Sequence, residues 1–131
     1  RRDFVGHVGG DDFMLLLQSE DWQRRCEGIV GAFAGEARQL FDDQAREAGG
    51  IWAEDRHGIR RFFACTTLSI GVVRVTPDSM LAPEDIANLA ALAKQQAKAQ
   101  SLPGRGAIAL HTPHDEARRP ALHGTAAAWP A

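Results

Sequence analysis

Phe4, Val5 and Val8 run into Gly9-Gly10, and Phe13 to Leu17 follow it. Two apolar runs meeting at a glycine pair predict a β-hairpin with arms over 3–8 and 12–18. Glycines supply the positive φ that tight primed turns need. Ser19-Glu20-Asp21 then offers an N-cap and an acidic first turn. Beyond it the period changes. Trp22, Cys26, Ile29, Val30, Phe33, Ala37, Leu40 and Phe41 recur at three- and four-residue steps. That stripe predicts an amphipathic helix near 21–41 whose apolar face packs on a sheet.

Residues 42–50 are polar and end in Gly49-Gly50, which reads as a break. Ile51-Trp52-Ala53 and Arg60 to Ala64 flank a turn-like segment containing His57-Gly58, so a second hairpin is expected there. Glu54 and Asp55 stand within pairing reach of Arg56, Arg60 and Arg61. Residues 66–75 alternate and are rich in β-branched side chains, which predicts a strand central in the sheet. Gly71 inside it signals a bulge or the close approach of another backbone. Pro83-Glu84-Asp85 opens a second long helix, with Pro in the first turn and acids at the positive dipole end. Ile86, Leu89, Ala90, Ala93 and Ala97 form its buried face, and Lys94 and Lys98 sit near its C-terminus, where cations are favourable. Residues 107–110 predict a short closing strand. From 111 to 131 no periodicity remains, and a disordered tail or linker is expected. His111, His114 and His123 lie in it without metal-ligand spacing.

The chain has 131 residues, so it holds one domain at most. A hydrophobic content of 44% suffices for a core, and a net charge of −2 argues against a nucleic-acid partner. Cys26 and Cys65 sit in apolar contexts and are expected as reduced thiols of a cytoplasmic protein. The apolar run from Phe13 to Leu17 is far too short to span a bilayer, and no membrane contact is expected.

Gly9-Gly10-Asp11-Asp12-Phe13 is also a chemical signal. Glycines at a turn let a phosphate approach the backbone, and adjacent carboxylates can hold a divalent cation. Taken with Asp3-Phe4-Val5 before it, Thr67-Leu68-Ser69-Ile70-Gly71 downstream and an Ala-Lys-rich helix after that, the ordered set resembles the GGDEF family. These are the diguanylate cyclase domains of bacterial cyclic di-GMP signal transduction. The family's signature is Gly-Gly-(Asp/Glu)-Glu-Phe on a hairpin, with a later strand reading Ser-Ile-Gly. The resemblance covers roughly residues 3–106.

It implies an α/β (α+β) fold like that of nucleotidyl cyclase palm domains: an antiparallel-rich sheet with flanking helices. Residues 1–110 would be the C-terminal portion of such a domain, without its first, central strand and early helices, and a chain lacking that strand would be marginally stable or self-associate. The implied reaction joins two GTP molecules, one on each of two facing domains, into cyclic di-GMP. Mg²⁺ with GTP is the implied cofactor. Asp11 matches the motif's metal-binding acid, and Asp12 stands where the family has Glu, one methylene shorter. Both are candidate catalytic and metal residues. Gly9 and Gly10 match the nucleotide-contacting glycines, and Lys98 matches the phosphate-binding lysine. Arg105, in Gly104-Arg105-Gly106, is a further nucleotide-binding candidate, although it lies three residues late. Asp3 matches the acid of the family's product-inhibition site, whose arginine partner would fall before residue 1.

Other departures point away from turnover. In the late helix Ala91 replaces the family's Asp and Gln95 its Tyr. The expectation is therefore a degenerate domain that binds GTP or cyclic di-GMP and regulates a neighbouring domain, such as a phosphodiesterase. An active cyclase completed by an upstream segment is the alternative. A homodimer of such domains is open to either, and a purely structural dimerisation element is a third reading.

Overall fold

The ladder that organises the packing is parallel. In the computed structural model, which describes residues 2–113, β5 (Ile70–Val73) lies beside β6 (Ile108–His111) with Ile70 opposite Ile108. The helix α3 (Pro83–Gln100) connects them. Parallel neighbours require a crossover, and a helix of this length supplies it. α3 turns Leu89, Ala93 and Ala97 inward, with Ala93 and Ala97 fully covered, and Ala109 of β6 is buried as well. Small residues on both sides let the backbones close up. At Gly71 of β5 the approach is so tight that a Cβ would stand 2.6 Å from the Ala93 carbonyl carbon and 2.7 Å from Lys94 Cα. The close approach expected at Gly71 is present. Ser69 and Ser101 close the far end, their hydroxyls 2.7 Å apart, and the Ser101 hydroxyl also donates to the Ala97 carbonyl. The helix begins where expected: Asp85 reaches back to accept the Ala82 N–H at 2.9 Å.

Two hairpins complete the strands. β1 (Phe4–Gly9) and β2 (Asp12–Leu16) pair antiparallel, with a register shift between His7 and Gly9. β3 (Gly50–Glu54) and β4 (Arg60–Ala64) pair antiparallel with Trp52 opposite Phe62. Their connection is an Asx-type turn in which Asp55 accepts the N–H groups of His57 and Ile59 and pairs with Arg61 at 2.7 Å. Gly58 takes φ 74° in that turn, as its place beside His57 led one to expect.

The two long helices lie where the periodicity put them, α1 over Trp22–Gln39 and α3 over Pro83–Gln100. Four features differ from expectation. The polar stretch read as a break contains the short helix α2 (Asp43–Ala48). The Asp42 carboxylate caps it by accepting the Ala45 N–H at 2.8 Å, and Gly49 ends it at φ 77°. The strand expected over 66–75 pairs only over Ile70–Val73, and the closing strand reaches His111. The described strands form three two-stranded ladders, two antiparallel and one parallel, and not one antiparallel-rich sheet. Alternation predicts a strand but not its partner, and the β5–α3–β6 crossover imposes the parallel pairing. The coarse class, mixed α and β, stands.

Burial is uneven. The buried residues described are small apart from Leu89: Cys26, Ala37, Ala45, Cys65, Ala93, Ala97 and Ala109. No large side chain among the described residues is fully buried, and Phe13 and Trp52 are each 62% exposed. The stripe of α1 is covered only in part. Cys26 and Ala37 are buried, but Leu40, expected inside, is 87% exposed. Burial also pushes the Cys26 thiol up from its ordinary pKa. The expected tail at 111–131 falls outside the described residues from 114 onward, with His114 and His123.

Candidate functional site

The tip of the first hairpin is built by its glycines. Gly9 and Gly10 have φ of 151° and 57°, and nothing lies within 4 Å of where a Cβ would sit on either. The turn is therefore open to a ligand and closed to most other residues. His7 stiffens it from below. Its ring stacks on Phe13, its cross-strand partner, with centroids 4.8 Å apart, and its Nε2–H donates to the Gly10 carbonyl at 2.9 Å. Neither contact was anticipated from the sequence, although an aromatic opposite a histidine on a hairpin is a pairing that register alone permits.

From this tip Asp12 points to α3. Its Oδ1 accepts from Lys94 Nζ at 2.8 Å, joining residues 82 positions apart in the chain. Lys94 and Lys98 are four residues apart and so share a face of the helix. The Lys94 ammonium beside Asp12 holds its carboxyl below the usual carboxylate range, through the hydrogen bond first and its charge second, and Lys98 adds a smaller pull. The Gly71 contact sets the position of that helical face, because it presses β5 onto the backbone at Ala93 and Lys94. The Ser-Ile-Gly strand therefore acts on the hairpin through the helix.

The expected site residues divide into three places. Gly9, Gly10, Asp11 and Asp12 share the hairpin tip, with Lys98 close enough to act on Asp12 electrostatically. Asp11 is exposed and makes no hydrogen bond or ion pair among the described residues. Arg105 sits beyond the end of α3 in a tight turn, its N–H donating to the Leu102 carbonyl at 2.9 Å and its carbonyl accepting the Leu102 N–H. No side-chain hydrogen bond or ion pair links it to the hairpin among the described residues. Asp3 lies at the opposite end of the hairpin, roughly 20 Å from the tip along a six-residue strand. Its partner is Arg25 of α1, at 2.6 Å, and it also accepts the Gln18 N–H at 3.1 Å. Arg25 and then Gln18 hold the Asp3 carboxyl below its ordinary range. A partner 22 residues later was not legible from a search of the neighbouring arginines.

Lys94 is the residue that sequence reasoning passed over, since its place near a helix C-terminus accounted for it. The i, i+4 spacing from Lys98 was the available signal. Its consequence for a metal is direct. A Mg²⁺ ion takes oxygen ligands in near-octahedral geometry. Among the described residues no group of three or more His, Cys, Asp and Glu side chains is placed to hold an ion, and one oxygen of Asp12 is engaged by an ammonium. This donor set does not fit a Mg²⁺ centre as arranged. No helix among the described residues is long and apolar enough to cross a membrane.

No family model matches the chain, and no curated protein or solved structure matches it.

Proposed function

We propose that this chain is a degenerate GGDEF-like domain that binds GTP or cyclic di-GMP and regulates a neighbouring domain without condensing GTP itself. One observation carries the reading: Asp12, beside the open Gly9-Gly10 turn, pairs with Lys94 on the lysine face of α3. A phosphate needs an approachable backbone and an available cation. The tip offers the first, and Lys98, whose ammonium is in no hydrogen bond or ion pair among the described residues, offers the second. Turnover needs more. Phosphoryl transfer at neutral pH asks for carboxylates free to hold Mg²⁺ against the triphosphate, and Asp12 is committed elsewhere. Asp3 is committed to Arg25 at the other end of the hairpin, and Arg105 makes no side-chain hydrogen bond or ion pair with the tip among the described residues.

Calorimetric titration of the chain with GTP, and separately with cyclic di-GMP, tests the proposal. Saturable binding of at least one is expected. Lys98→Met should weaken it about tenfold, since hydrogen bonds to charged groups contribute about 1.5–3 kcal/mol. Chromatography after incubation with GTP and Mg²⁺ should show no cyclic di-GMP. Absence of binding to both nucleotides refutes the reading, and robust product formation replaces it with an active cyclase.

A further inference from the structure

We infer that Lys94 is a built-in counter-ion that keeps a divalent cation off the hairpin carboxylates. The inference deepens the proposed reading, since it concerns the regulation of the same tip, and it rests on that reading for its biological purpose only.

The geometry sets the two cations in competition. A divalent cation on Asp12 would coordinate a carboxylate oxygen at just over 2 Å. Lys94 Nζ already stands 2.8 Å from Oδ1, within the space such an ion and its ligands would fill. Lys94 holds Oδ1 only, so an ion taking either oxygen would stand beside the ammonium and be repelled by it at short range. Lys94 is not free to withdraw its backbone. The Gly71 approach pins α3 at Ala93 and Lys94, and Ala93 and Ala97 are fully buried beneath it. Only the four-carbon stem can swing. The pair is half exposed, with 40% of the Lys94 side chain and 48% of the Asp12 side chain open, so an ion from solvent can reach it and the exchange is reversible. Lys98 acts on Asp12 by its charge alone.

The test needs no nucleotide. The ¹⁵N-labelled chain is titrated with MnCl₂ in metal-free buffer, and paramagnetic broadening of the Asp11, Asp12 and Phe13 amides is followed. Removing a unit charge within about 4 Å of the ion should lower the Mn²⁺ concentration for half-broadening about tenfold in Lys94→Met and in Lys94→Gln. Lys94→Arg should behave as the wild type. Lys98→Met removes the same charge from the same face without freeing Asp12, and a shift under about twofold is expected, given screening at an exposed site. Equal broadening in the wild type and both neutral Lys94 variants overturns the inference, and so does a Lys98→Met shift as large as that of Lys94→Met. Two neutral variants guard against misfolding in one, and preserved amide dispersion confirms each. A chain that binds no GTP still gives an answer here, so failure of this inference and failure of the nucleotide reading are told apart.

Discussion

Gly71→Ala probes the contact through which the strand positions the site. The added methyl would stand 2.6 Å from the Ala93 carbonyl carbon and 2.7 Å from Lys94 Cα, against the 3.4 Å where ordinary contact begins. Lifting 2.6 to 3.4 Å takes about 0.8 Å of movement, Lys94 N lies nearer still and demands more, and the obstacle is helix backbone, which cannot rotate aside. Overpacking of this kind costs about 1–3 kcal/mol. Alanine also restricts the unfolded chain, which returns about 0.4–1 kcal/mol. The steric term is larger, so a net loss of about 1–2 kcal/mol is expected, read as a lower urea midpoint at unchanged slope. At roughly 4 °C per kcal/mol the melting temperature should fall by about 4–8 °C. The displaced helix should also draw Lys94 away from Asp12, and the Asp12 carboxyl, followed by its ¹³C shift, should titrate closer to its ordinary value. Gly28→Ala is the control. It lies within α1, a methyl there meets nothing within 4 Å, and helix propensity favours alanine by about 1 kcal/mol. A Gly71→Ala chain with a wild-type midpoint and an unchanged Asp12 titration would refute the reasoning.

Asp42→Ala removes the cap of α2 and should cost about 1 kcal/mol, seen in denaturant melts and as faster amide exchange at Ala45; unchanged exchange there would mean that the cap is dispensable. Asp3, Asp12 and Asp55 are all held below the ordinary carboxylate range by their hydrogen-bond partners. A carboxyl lowered on folding adds stability above its unfolded pKa and loses it as pH falls through the folded value. Stability should therefore be flat in these groups at neutral pH and drop below about pH 3.8, and Asp3→Asn should blunt the drop in acid-unfolding curves. An acid limb identical to the wild type would exclude Asp3 from it.

What the residues determined alone was local. The spacing of Trp22 to Ala37 and of Ile86 to Ala97 specified two helices, because a 3.6-residue period has one backbone solution that puts such positions on one side. Gly9-Gly10 and His57-Gly58 specified two turns, because few conformations suit them. Asp42 and Gly49 held the start and stop of α2 as well, and that signal went unread because the six residues between them carry too little apolar pattern. Pairing is not local. Whether residues 70–73 join an antiparallel or a parallel neighbour depends on where α3 returns the chain, and alternation is identical in both cases. The site divides along the same line. Its glycines and carboxylates were legible as a string of five residues. The placement of Lys94 on Asp12, and of Arg25 on Asp3, required the distances between elements 82 and 22 residues apart to be settled. A charge's role depends on which opposite charge it meets in space. For Asp12 that is decided by one helix pressed close against a glycine.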